Sequence, residues 1–281
     1  PEPFRRRKDF VAMWEILHYP FFQNALLGSL LASILCAIVG TYIVSRRLVF
    51  ISGGITHASF GGIGLGVYFG LNPILSAMAF AVASALGVEW MSRKGDVRED
   101  SAIAMFWTLG MSVGIICCFL SPGFMPDLSS YLFGNILTID SHDLWLLAAV
   151  TLLAAIIFMA FYRQILSISF DSTFAQSQGL PVLLVEYGLM ALVAMTIVAT
   201  LRMVGIVLAI SLLTIPQMTA NLLTSSFKRI IFWSMLIGWV DCLVGLAISY
   251  YCNVPSGASI IFVSIVIYAI VKAIKWSIKR F

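Results

Sequence analysis

The chain is predicted to be an all-α polytopic membrane protein, with eight or nine transmembrane helices in one bundle. Three observations predict it. Of 281 residues, 60% are hydrophobic and 11% charged, where a soluble domain carries about 25% charged residues. The mean hydropathy is +1.00. The apolar residues fall in blocks of about 20, the length a helix needs to cross a hydrocarbon layer of roughly 30 Å, and not in the short alternating runs of a membrane barrel.

Nine apolar segments are predicted, near residues 21–45, 51–70, 73–91, 101–121, 143–162, 181–201, 203–223, 230–251 and 258–275. The polar stretches between them are too short to divide the chain into separate domains. Residues 1–20 form a basic N-terminal tail, 21–275 one transmembrane domain and 276–281 a C-terminal tail. Lysine and arginine favour the cytoplasmic side. Alternate connections carry Arg46, Arg47, Arg93, Lys94, Arg98, Arg163, Lys228 and Arg229, and the basic C-terminus falls on the same side. The stretch 122–142 has no Lys or Arg. It is assigned to the outer face and the C-terminus to the cytoplasm. Nine crossings would put Arg5, Arg6, Arg7 and Lys8 outside, against the rule, and eight would not. The 203–223 segment contains Pro216 and follows its predecessor almost without a turn, which marks it as a broken or re-entrant helix.

His57 stands alone in "ISGGITHASFGGIG". An ionisable residue within a span points to function by default, because placing it in hydrocarbon is costly. Four residues earlier a carboxylate would share its helix face and complete a compact N/O site for a divalent metal. The chain has Gly53 there. His57 must then look to the Ser52 or Thr56 hydroxyls, backbone, water or another helix. Gly62, Gly66 and Gly70 recur at G-x-x-x-G spacing, which lets helices approach closely. Asp241 is the second ionisable group within a span. It is a pathway carboxylate or, on the plainer reading, a hydrogen-bond partner between helices. Glu89 and Arg93 are spaced for an ion pair at a helix end. Asp140, His142 and Asp143 belong to the outward connection and read as solvated loop. The 163–180 stretch, "RQILSISFDSTFAQSQGL", is polar enough to lie outside the bilayer, with Ser169 or Asp171 as helix cap and Gly179 and Pro181 as its end.

Five cysteines form no C-x-x-C pair and read as small buried hydrophobes. The sequence has no G-x-x-x-x-G-K-S/T phosphate loop, no H-E-x-x-H and no nucleophile elbow. The chain is therefore not expected to be an enzyme or to bind a cofactor of its own.

The blocks "SRRLVFISGGITHASFGGIGLG", "YLFGNILTIDSHDL", "SFDSTFAQSQGLPV", "RMVGIVLAISLLTIPQMTA" and "NVPSGASI" occur in this order. With them the chain resembles, from about Phe22 to Lys275, the permease subunits of the ABC importers that bring zinc, manganese or iron(II) into bacteria. The resemblance implies a multi-pass protein of the bacterial plasma membrane that forms a homodimer. Two cytoplasmic ATPase subunits, which use the ATP, and an extracytoplasmic metal-binding protein would complete the assembly; no nucleic acid is implied. Asp171, Ala175 and Gly179 would contact the ATPase in a coupling helix, and Asp127, Tyr131 and Gly134 would lie on the outer docking face. His57 matches the histidine of the family's G-D-x-x-x-H pattern, part of a metal-passing site, while Gly53 takes the aspartate position. The ligand set is thereby halved, unless Asp241 joins from another helix. An imidazole without a carboxylate leans the substrate towards Zn2+ over Mn2+ or Fe2+. Two other readings stay open on the residues alone. One is an ABC permease for a chelated metal such as a siderophore or cobalamin. The other is a proton-coupled secondary transporter with His57 and Asp241 as relay.

Overall fold

The computed structural model describes residues 19–95, 97–121 and 139–280. These residues form helices only: α1 (Pro20–Ser45), α2 (Val49–Tyr68), α3 (Pro73–Lys94), α4 (Glu99–Leu120), α5 (Ser141–Ala160), α6 (Tyr162–Phe170), α7 (Ser172–Ser177), α8 (Val182–Leu212), α9 (Ile215–Leu223), α10 (Phe227–Cys252) and α11 (Ser256–Arg280). Eight stretches are long and apolar enough to cross a membrane: α1, α3, α4, α5, Val182–Leu201, Val204–Leu223, α10 and Ser256–Ile278. Helix α2 has 20 residues, but its glycines and His57 leave it less apolar than those eight. It nevertheless runs out and back with α3, because Arg46 after α1 and Arg93 near the end of α3 reach the same carboxylate, Glu186.

The spans sort into a core and a rim. In α1, Val182–Leu201 and Val204–Leu223, 67%, 61% and 61% of the apolar window is buried, against 28–39% in the other five. The rim helices turn large apolar side chains outward, among them Leu152, Ile156 and Met159 on α5 and Phe262 and Ile265 on α11. In a bilayer those faces meet lipid, so apolar surface gives no drive for one helix to pack on another; close packing and hydrogen bonds must supply it.

Helix α2 shows how. A Cβ on Gly61 would sit 2.7 Å from the Gly110 carbonyl oxygen, and one on Gly64 would sit 2.6 Å from that of Gly114, both on α4. On its other side, a Cβ on Gly62 would lie 2.6 Å from Ala77 Cα, and one on Gly66 would lie 2.8 Å from Pro73 Cα, both on α3. Backbone thus lies on backbone along the helix. Gly70 departs from the expected packing role. It lies past the end of α2 at φ +66 with open space where a Cβ would go, so it shapes the turn into α3. Asn72 then caps α3, its side chain accepting from the Ile74 and Leu75 amides at 3.0 and 3.4 Å, and Pro73 opens the helix.

The broken span expected near 203–223 is present. Gly205 leaves the helix at φ 74, ψ 171, a conformation that glycine adopts without strain. Glu186 lies at the end of the bundle marked by Arg46 and Arg93. Leu222 returns to the basic end, where its carbonyl accepts from Lys275 Nζ near the C-terminus. The chain therefore reverses around Gly205. A second interruption separates α8 from α9. Pro216 has no N–H for the Leu212 carbonyl, and the Gln217 amide Nε2 donates there instead (3.1 Å) and also to the Cys36 carbonyl of α1 (2.7 Å). Thr214 Oγ1 donates to the Ile210 carbonyl (2.8 Å). A Cβ on Gly40 would sit 2.5 Å from the Leu213 carbonyl oxygen, so glycine is what lets α1 reach the break.

Replacing Gln217 with Leu leaves the Leu212 carbonyl without a donor and removes the tie to the Cys36 carbonyl of α1. The expected loss is about 1–3 kcal/mol, read as a lower midpoint of denaturant unfolding in mixed micelles, with Ser177→Ala in the exposed connector as a near-neutral comparison.

Candidate transport site

His57 lies near the middle of α2, half-buried. Its sequence neighbours do not hold it. Ser52 Oγ donates to the Val49 carbonyl (2.7 Å) and Thr56 Oγ1 to that of Ser52 (2.5 Å), so both hydroxyls are spent within the helix. The imidazole instead stacks on the indole of Trp107 from α4, ring centroids 4.4 Å apart and planes 4° from parallel. Such a contact adds about 0.5–1.5 kcal/mol beyond simple burial and fixes the ring plane. Phe50, two turns earlier on α2, meets the same indole at 6.3 Å. Nδ1 of His57 is buried without a hydrogen-bond partner. A buried polar atom left unpaired costs about 1–3 kcal/mol.

The neighbouring Gly53 is unlike the other α2 glycines. A Cβ built on it would meet only Ile210 Cδ1 of α8, at 3.8 Å, an ordinary van der Waals contact. The position that shares a helix face with His57 therefore has room for a side chain that the sequence does not provide. α2, α4 and the returning half of α8 enclose the site.

Asp241 stands elsewhere. It is fully buried on α10, where Oδ2 accepts from Ser264 Oγ of α11 at 2.6 Å while Oδ1 has no hydrogen-bond partner. Helix α10 packs on α1, α9 and α11, whereas α2 packs on α3, α4 and α8. The structure does not bring Asp241 to His57, and the carboxylate missing at Gly53 is not supplied from there. Among the described residues no group of three or more His, Cys, Asp or Glu is placed to hold a metal ion.

At the basic end of the bundle, Glu186 at the start of α8 is 1% exposed and bound by two arginines: Arg46 Nη2 reaches Oε1 at 2.7 Å and Arg93 Nη2 reaches Oε2. Arg93 also takes the expected pair with Glu89, Nε to Oε1 at 2.5 Å. Arg46 Nη1 donates to the Ile168 carbonyl of α6 at 3.0 Å. The ends of α1, α3, α6 and α8 are thus tied together. Glu186 was not singled out in the sequence; its partners lie far away along the chain, and no local spacing announces them.

The polar connector forms two helices, α6 and α7. Asp171 caps α7, Oδ1 accepting from the Phe174 amide at 2.9 Å. Ser169 lies inside α6 and donates back to the Ile165 carbonyl (2.6 Å). Ala175 packs with Ile168 and Val182, seating α7 against the end of α6 and the start of α8, and Gly179 ends it at φ +77. Phe170 and Phe174 are left 75% and 60% exposed. At the start of α5, Asp140 and Asp143 form a capping box. Asp127, Tyr131 and Gly134 lie outside the described residues, as does the N-terminal tail up to residue 18.

The chain matches the ABC 3 transport family over residues 18–275 and belongs to it: it is a multi-pass plasma-membrane permease of an ABC transporter. It is 42% identical over 259 residues to an uncharacterized membrane protein of Synechocystis sp., covering 92% of each chain. It is 33% identical to the manganese transport system membrane protein MntC of Halalkalibacterium halodurans, covering 91% of this chain and 88% of that one. Among solved structures it resembles PsaBC from Streptococcus pneumoniae in complex with Fab, at TM-score 0.83 and 29% identity, over 93% of this chain and 95% of that one.

Removing the carboxylate at residue 186 leaves two arginines facing a buried gap. Glu186→Ala is expected to cost about 3–5 kcal/mol, and Glu89→Ala, which leaves Glu186 in place, about 1 kcal/mol or less; unfolding of the two variants in the same micelles separates them.

Proposed function

We propose that this permease imports a divalent transition-metal ion, with Zn2+ preferred over Mn2+ and Fe2+. The observation that carries the reading is His57: one imidazole with an unpaired nitrogen, stacked on Trp107, beside an open Gly53. Neutral imidazole suits zinc, while manganese favours carboxylate oxygen, and the position that would offer oxygen is empty of side chain. Relatives named for manganese transport support an ion rather than a chelate as the substrate. One ligand is too few to trap an ion and enough to pass one, so His57 acts as a transit point whose remaining coordination comes from water and from the second copy of a homodimer.

The power stroke belongs to partners. ATPase subunits dock on the connector around Asp171, Ala175 and Gly179, with the exposed Phe170 and Phe174 as apolar anchors. Ala175 carries their movement into Ile168 and Val182, and the Arg46–Glu186–Arg93 cluster spreads it to α1 and α3. A metal-binding protein delivers the ion to the outer face around Asp127, Tyr131 and Gly134. The cycle is alternating access.

The test uses cells without their own high-affinity metal importers, supplied with this chain, its ATPase and its binding protein. Accumulated Zn, Mn and Fe are read by elemental mass spectrometry. The native chain should raise zinc, and His57→Ala should abolish the rise while the complex still assembles. Gly53→Asp, for which there is space, should shift accumulation towards manganese. An equal rise with and without the imidazole takes His57 out of the path. In the same cells Phe174→Ala should lower uptake by weakening ATPase docking about thirtyfold or more, a loss of about 2 kcal/mol or more at one anchor. Co-purification of the ATPase reads this directly.

A further inference from the structure

A second feature lies away from the transport site. Helices α1, α5, α6 and α10 enclose a cavity of about 760 Å³ that their other contacts do not fill. Its inner wall is apolar, with Ile38, Phe158 and Ile231. Its outer lip is formed by Met159 and Phe161, 73% and 48% exposed, so the cavity opens sideways, where lipid lies. Its polar edge carries Arg163 and Lys228, and no carboxylate lines it. Neither cation forms an ion pair with a described residue. Lys228 Nζ rests 4.8 Å above the Tyr162 ring, which holds the ammonium at the rim. Gln164 also lines the cavity, and its Oε1 is buried without a hydrogen-bond partner.

The depth of the cavity is set by its neighbours. It lies where α5 ends and α10 begins, at the end of the bundle that gathers the arginines and the connector. That is the cytoplasmic headgroup level. An apolar slot open to the acyl region, topped by two unpaired cations and an unpaired amide at headgroup depth, matches one kind of molecule. Basic pockets between transmembrane helices on this side take anionic headgroups. A zwitterionic lipid would fill the slot and leave the two charges unbalanced.

We propose that this cavity binds an anionic phospholipid of the cytoplasmic leaflet, its phosphate between Arg163 and Lys228, a headgroup hydroxyl on Gln164 and an acyl chain along Phe158 and Ile231. The lipid braces α5, α6 and α10 beside the connector. The proposal is independent of the metal and of His57.

The test is native mass spectrometry of the purified full chain, titrated with phosphatidylglycerol or phosphatidylcholine. Phosphatidylglycerol should bind more tightly. Two rim charges at about fivefold each predict that the double variant Arg163→Gln/Lys228→Gln weakens phosphatidylglycerol roughly thirtyfold and leaves phosphatidylcholine unchanged. Arg229→Gln, a neighbouring cation that does not line the cavity, should change little. Both rim side chains are exposed, so the double variant should fold, and its unfolding midpoint checks this. Ala155→Leu, at the cavity wall, should weaken binding by occupying space without touching charge. Equal binding of the two lipids overturns the proposal. So does an equal loss from Arg229→Gln, which would mean a diffuse surface field, and so does equal competition by free glycerol phosphate, which would mean a headgroup site without lipid.

Discussion

A carbonyl freed inside a bilayer has no water to turn to, and most of this architecture follows from that. Continuous helices satisfy the rule by themselves. The chain departs from it around Gly205 and again before Pro216, and at the second break it brings its own replacements. The Gln217 amide donates to the carbonyl that Pro216 leaves bare and then to α1. The break is therefore also a joint: the group that repairs one helix fastens it to the next, and Gly40 leaves space for the joint to close. The broken span is thus tied to α1 by a side-chain amide as well as by its packing on α10 and α11.

The same economy shapes α2. Its glycines press backbone against α3 and α4, which costs the helix its hydropathy and gives it a fixed place. A functional side chain on such a helix does not wander. His57 is set by the packed backbone below it and by the Trp107 ring across from it, and its Nδ1 stays unpaired. Gly53 is the one α2 glycine that packing does not require. The closeness of the helices does not account for it.

Long-range geometry decided what could be seen beforehand. Apolar blocks of bilayer length marked the spans, Pro216 and the absent turn near residue 203 marked the broken one, and a lone histidine among glycines marked the candidate side chain. These are local signals. Glu186 was silent because its meaning lies in Arg46 and Arg93, brought beside it only by the fold. Trp107 was silent because an aromatic residue in an apolar helix is ordinary until a ring is stacked on it. Gly70 sounded like a packing glycine by spacing alone, but spacing does not reveal that the helix has already ended at Tyr68. Asp241 kept two readings in the sequence; the fold pairs it with Ser264 and sets it apart from the histidine.

The reversal at Gly205 also bears on how the chain reaches its membrane. With Val182–Leu201 and Val204–Leu223 separated by two residues, no stretch of polar loop can wait in water between them. The pair must partition into lipid together, as one hairpin. The Leu212 carbonyl is covered from within the pair itself, by Gln217, whose amide also reaches the Cys36 carbonyl of the earlier α1.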